Sequence, residues 1–396
     1  MVSYGPMEKM HSDDGRLFSL DFLRGVDMFL LTVIGPLVWA LDAAFGLPDA
    51  ILYQFTHPWE GFTLWDIIMP LFLFMCGASI PLSLERRIER NGGRAGAGYW
   101  KHVIWRVALL WTLGMLVQGH LADLDLMALR PYNNTLQTIA VGYLAMAALV
   151  ACCSMRIRIL VPALCFVLYG LLVHFGGDYT MTGNFAEIVE QKVLAAVLPA
   201  ASQAIHEVGE LGYLGRFHEI GEIHYTWLLT SLMFVFMTAC GYFSTKLVTS
   251  TQDRFRNARR LSLFGLALLC LGWALTFAGV RMVKHIFTVS FTAQAMGWSA
   301  LGLALAYLVT DALRIRKGLS LFVLFGRTSL VAYLIGEFFW PCYMFAGDFV
   351  THGLSHITGK PVQQLVACCV AIGLLISTLA IRRRLAATRG VAERTK

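Results

Sequence analysis

The sequence reads as an all-α, polytopic membrane protein with about ten transmembrane helices and both termini cytoplasmic, on three counts. Hydrophobic residues make up 57% of the chain and charged residues only 14%, whereas a soluble domain carries about a quarter charged residues. Apolar runs long enough to cross roughly 30 Å of hydrocarbon recur from end to end. Basic residues alternate from loop to loop. With the N-terminus placed inside, 22 of the 32 Lys and Arg residues fall in inside segments and six in outside loops (Arg130, Lys192, Arg216, Arg281, Lys284 and Lys360). That asymmetry sets the orientation.

Residues 1–19 form a cytoplasmic tail. Its Glu8, Asp13 and Asp14, and the lack of a basic leader, argue against a signal peptide. A single transmembrane domain follows over 20–382. Its apolar runs are 20–44, 62–84, 100–119, 135–153, 158–175, 226–248, 260–279, 288–313, 319–345 and 362–382. An extracytoplasmic loop, 176–225, divides the fifth run from the sixth, and a basic cytoplasmic tail occupies 383–396. The first run carries Asp21 and Arg24, three residues apart and therefore on one helix face. They form either an ion pair at the cytoplasmic interface or an arginine held ready for phosphate, since guanidinium suits phosphate oxygens bidentately. The second run ends in a basic, glycine-rich inside loop whose Arg86 and Arg87 add cations at the same face.

Ahead of the second run stands His57-Pro58-Trp59-Glu60-Gly61-Phe62-Thr63-Leu64-Trp65-Asp66. Polar groups at the mouth of a membrane helix are costly unless they have partners or a task. Thr63 and Asp66 have the spacing of a helix-start capping box, and Trp59 and Trp65 fit an interfacial aromatic belt. His57 has neither explanation, and an ordinary pKa near 6.5 suits it to proton transfer at neutral pH. Asp66 is its candidate orienting partner, and Trp59 and Glu60 are candidate substrate contacts. Before the fourth run, Asn133, Asn134 and Gln137 offer amides that either hold a ligand or cap the helix. Lys284 lies in the outside loop Arg281-Met282-Val283-Lys284-His285. Arg327 and Glu337 lie within the ninth run, where charges face a cavity or each other. Ten residues apart, they are too distant for contact on one continuous helix.

The net charge of +7 follows from topology and from anionic lipid at the inner leaflet, so nucleic acid is not an expected partner. The nine cysteines lie in apolar runs without CxxC spacing and read as small buried residues. In the long loop, His206-Glu207-Val208-Gly209-Glu210 is echoed by His218-Glu219-Ile220-Gly221-Glu222. Neither copy has clean metal-ligand spacing, so an interfacial amphipathic segment is expected and a metal is not.

Several blocks recur together along the chain: Ser19-Leu20-Asp21-Phe22-Leu23-Arg24-Gly25; His57-Pro58-Trp59-Glu60-Gly61 followed by Asp66, Pro70 and Phe72 to Gly77; Leu136-Gln137-Thr138-Ile139-Ala140-Val141-Gly142-Tyr143; and Lys284-His285-Ile286-Phe287-Thr288. Together they resemble the heparan-alpha-glucosaminide N-acetyltransferase family of transmembrane acetyltransferases, including its bacterial members. The resemblance implies an inner-membrane enzyme, dimeric in the family's manner, that takes the acetyl group of cytosolic acetyl-CoA to an amino sugar on the far side. It implies His57 as catalytic base or acetyl carrier. Arg24, Asp21, Arg86, Arg87, Gln137 and Asn134 are the candidate acetyl-CoA contacts, and Trp59, Glu60, Asn133, Lys284, Arg327 and Glu337 the candidate acceptor contacts. Gly35 stands where the family has an asparagine. An O-acyltransferase of the acyltransferase-3 type, acting on surface polysaccharide, is the nearest rival, and the tryptophan and glycine after His57 favour the first family. A transporter or flippase is the other rival, although no half-to-half repeat of the kind such folds show is visible.

Overall fold

The computed structural model describes residues 17–124, 132–181, 183–197 and 225–394, and every element in it is helical. The helices are α1 (Phe18–Phe45), α2 (Leu64–Arg90), α3 (Ala97–Val117), α4 (Thr135–Cys152), α5 (Met155–Gly176), α6 (Phe185–Val197), α7 (Ser231–Val248), α8 (Arg254–Phe277), α9 (Val289–Ala312), α10 (Ser320–Arg327), α11 (Ser329–Thr358) and α12 (Lys360–Ala386). Among the described residues, nine are long and apolar enough to cross a membrane: all but α3, α6 and α10. The expected third span does form a helix, α3, of 21 residues, about 31 Å long at 1.5 Å per residue. Lys101, His102 and Arg106 make it more polar than the nine. The repeated His-Glu segments of the long loop lie outside the described residues.

The expected span 319–345 is not one helix. Thr328 closes α10 by donating its hydroxyl to the Leu324 carbonyl at 2.7 Å. Its own carbonyl then accepts the first N–H groups of α11, from Val331 and Ala332. A threonine that bonds the backbone locally competes with a continuous helix.

Two layers follow from burial. The spanning stretches of α2, α7 and α9 are 67% buried, whereas those of α1, α5, α8 and α11 are 22% buried and turn large apolar side chains such as Leu164, Leu168 and Leu171 of α5 outward. Glycine sets the tightest crossing in the inner layer. A methyl on Gly77 of α2 would collide with the Thr238 carbonyl, and one on Gly241 of α7 with that of Phe74. Backbones in a membrane approach this closely only through small residues.

Polar ties show which helix ends lie together. Glu85 at the end of α2 binds Arg158 at the start of α5 (2.8 Å) and Lys246 at the end of α7 (2.7 Å), and accepts the Tyr242 hydroxyl. The carboxylate of Asp311, in the last turn of α9, accepts the Ser19 N–H at the start of α1 (3.0 Å), and its carbonyl accepts Arg254 from the start of α8 (2.6 Å). These ends form one basic rim. The loops bearing His57 and Lys284, and the Gln118 to Asn134 contact (2.8 Å) between the end of α3 and the start of α4, lie at the other.

Candidate functional site

The site starts from a helix cap. Thr63 precedes the 3₁₀ turn Leu64–Ile67 that opens α2, and both halves of a capping box are present. Asp66, fully buried, accepts the Thr63 N–H on Oδ2 at 2.9 Å. Its Oδ1 lies 2.7 Å from His57 Nδ1 and 3.3 Å from Lys284 Nζ. One carboxylate therefore closes the helix start and holds the histidine, so both sequence readings of Asp66 apply at once.

Lys284 arrives on the connection between α8 and α9, whose residues Met282 to Thr288 are buried. Three bonds pin that segment: the Gly61 N–H donates to the Met282 carbonyl (2.8 Å), the Thr226 N–H to that of His285 (3.1 Å), and the Tyr169 hydroxyl to that of Ile286. Lys284 Nζ is 2.9 Å from His57 Nδ1 and 3.2 Å from Nε2. Nearly equal distances to the two ring nitrogens place the ammonium beside the ring, since an ammonium on the Nε2 lone pair would stand far from Nδ1. Asp66 assigns the proton to Nδ1. Nε2, turned away from Asp66, has Lys284 Nζ as its recorded contact, and the His57 side chain is 26% exposed.

Electrostatics point the same way. Burial pushes His57 below its usual value and the Lys284 charge adds to this, while the Asp66 hydrogen bond opposes it. Burial pulls Lys284 down to about 8 against the pull of Asp66. At neutral pH the geometry thus combines a neutral imidazole, a carboxylate and an ammonium, a set able to take a proton and to favour a negative charge forming nearby.

Around this centre, Trp59 stacks on His285 with centroids 5.0 Å apart and planes 6° from parallel, and its Nε1–H donates to the Tyr179 carbonyl at 2.9 Å. Tyr225 packs on His285 from another side at 4.7 Å. Trp59 is thus fastened into the wall. Glu60 pairs with Arg281 at 3.3 Å in the open, an arrangement of small energetic weight. Gly35 is explained by Trp65, whose indole occupies the space that any side chain at 35 would need.

Other predicted residues stand elsewhere. Asp21 does not pair with Arg24: its carboxylate accepts Arg327 Nε at 3.1 Å, while Arg24 Nη2 turns to the Met75 carbonyl at 3.5 Å. Reaching across from α10, Arg327 satisfies Asp21 and leaves Arg24 to the Met75 carbonyl of α2. Arg327 consequently lies level with the first turns of α1, near the basic rim and away from His57. Asn134 caps α4 by accepting the Leu136 N–H at 2.7 Å, and Gln137 accepts the Asn133 N–H at 2.8 Å, so the capping reading holds for these amides. Glu337 accepts Gln118 at 3.4 Å. Arg86 and Arg87 line a groove on the basic rim.

Sequence reasoning did not foresee Lys284 as a partner of His57, nor His285 as the floor under Trp59. Asp27 was also passed over: it is fully buried in α1, and neither carboxylate oxygen has a hydrogen-bond partner. Its signal was an acid well inside an apolar run. Among the described residues no group of three His, Cys, Asp or Glu is placed to hold a metal. No protein-family model matches the chain, and no curated protein matches it.

Proposed function

We propose that this chain is a multi-pass transmembrane acetyltransferase of a bacterial inner membrane, moving the acetyl group of cytosolic acetyl-CoA to an amino sugar at the extracytoplasmic rim. The observation that carries the reading is the part-exposed imidazole of His57, with Nδ1 held by Asp66 and an ammonium alongside. In this mechanism Nε2 takes a proton from the acceptor amine as its nitrogen attacks the thioester carbon. The carbon–sulfur bond then breaks, and the imidazolium returns the proton to the departing sulfur. The products are an acetamide and the CoA thiol, with atoms and charge balanced.

Asp66 holds the tautomer that leaves Nε2 basic. Lys284 keeps the imidazole neutral and supplies the nearest positive charge for the oxyanion of the tetrahedral intermediate. On the donor side Arg24, Arg86 and Arg87 are the cations assigned to the phosphates of acetyl-CoA. Arg327 and Glu337, which also suggested a transporter, are paired with Asp21 and Gln118.

Calorimetry of acetyl-CoA, CoA and an unrelated nucleotide against the purified protein in nanodiscs tests the proposal. Saturable binding of acetyl-CoA, followed by acetylation of glucosamine, is the expected result. A folded sample that binds neither CoA species would overturn it. A product cleaved by hydroxylamine would be an ester and would move the acceptor from amine to hydroxyl.

A further inference from the structure

At the basic rim the end of α2 and the start of α3 enclose a groove of about 750 Å³, lined by Arg86, Arg87, Arg90 and Arg94 together with Asn91 and Tyr99. This volume falls within the range of small-molecule sites, about 300–1,000 Å³. The connecting turn is built to hold its shape. Gly92 and Gly93 take positive φ values of 67° and 81°, which suit glycine and strain other residues. The Gly93 N–H donates to the Ile88 carbonyl at 2.9 Å, and the Asn91 side-chain amide donates to the Arg94 carbonyl at 2.9 Å. Arg90 before the turn and Arg94 within it are thereby brought to one hollow. The first residues of α3, Gly96 to Gly98, line the same hollow, and no side chain caps that helix start.

A basic rim alone would not single out this place: several of its cations have partners, and others that make no ion pair among the described residues, such as Arg156, Arg259 and Arg314, do not line this groove. Arg158 and Lys246 are bound to Glu85, Arg316 to Asp311, Arg327 to Asp21, and Arg254 to the Asp311 carbonyl. Arg87, Arg90 and Arg94 differ. Among the described residues their guanidinium groups make no ion pair and no hydrogen bond, although they line one hollow with Arg86. Converging guanidinium groups repel one another, and phosphate oxygens match their forked donors better than single carboxylates in charge and in shape.

We propose that this groove binds a compact group carrying two or more phosphates. Two sources share that chemistry: the nucleotide end of a soluble ligand, of which CoA is one, and the headgroup of an anionic phospholipid. The inference stands on the groove and does not need the acyl-transfer reading.

The test uses the full chain in nanodiscs of phosphatidylcholine. Calorimetry with adenosine 3′,5′-bisphosphate and with pyrophosphate reads the nucleotide arm, and native mass spectrometry after doping with cardiolipin reads the lipid arm. At least one of these probes binds the natural protein, and Arg90→Gln with Arg94→Gln weakens that probe about 100-fold, as expected for two lost charged hydrogen-bond donors. The melting midpoint is unchanged, since neither guanidinium supports another residue. Arg94→Gln alone, on the turn, repeats the measurement should the double variant melt early. The proposal is overturned if no probe binds, or if the variants bind as the natural protein does. Acetyl transfer lost with phosphate binding intact would count against the acyl-transfer reading alone.

Discussion

Asp66 and Glu85 stand at opposite ends of α2, each a carboxylate among basic partners, and they serve different ends. Glu85 is surrounded by groups that tie three helices together. Arg158 gives its remaining donors to the Val150 and Cys153 carbonyls at 2.7 and 3.0 Å, and Lys246 and the Tyr242 hydroxyl complete the set. Asp66 binds a partner with a second ring nitrogen, the Nε2 of His57. A count of charges would rate the two ends alike. What separates them is the partner: a guanidinium and an ammonium only donate, whereas an imidazole can also take a proton.

Four measurements break or sharpen that contrast. His57→Ala removes the imidazole and should lower acetyl transfer by about 10⁴-fold, the upper range for a general base, with an unchanged melting midpoint. Retained turnover would withdraw His57 from the chemistry. Asp66→Asn keeps a hydrogen-bonding side chain but loses the charge that selects the tautomer, and should lower transfer by about 10²-fold. Glu85→Ala should act on stability instead. Arg158 and Lys246 would be left without their carboxylate, at a cost of about 2 kcal/mol after allowing for their partial exposure, while transfer per folded molecule stays the same. Loss of transfer without loss of stability would make the inner end a reactive site as well.

The smallest effect is on pH dependence. The base must be unprotonated, so transfer should rise with pH through the depressed His57 value, below 6.5, and fall as Lys284 loses its proton at about 8. Lys284→Met removes the neighbouring cation, so the acid limb should move up toward 6.5 and the alkaline limb should vanish. Unshifted limbs in a pH–rate profile would mean that Lys284 is a tie of the Glu85 kind.

Hydropathy made the spans legible because lipid requires long apolar helices. α4 and α5, for example, fall within three residues of the expected bounds. His57 and Asp66 were legible because they are nine residues apart and flank a recognisable helix start. Lys284 is 227 residues from His57, and no local pattern encodes such a contact. The same holds for Arg327 and Asp21, 306 residues apart, where local spacing pointed to Arg24 instead. Thr328 lies between Arg327 and Ser329, and its hydroxyl bonds the carbonyl four residues back at a helix end just as Thr238 does within a continuous helix, so local pattern does not tell the two apart.

The double duty of Asp66 places one side chain under two selections. Asparagine can still cap the helix but cannot orient His57 with a charge. Glutamate keeps the charge, yet its extra methylene displaces the oxygens from either the Thr63 N–H or the imidazole. The Thr63 N–H thus fixes the reach of this side chain, and the imidazole its charge. Glu60, six positions earlier and half exposed, meets only Arg281 among the ion pairs of the described residues.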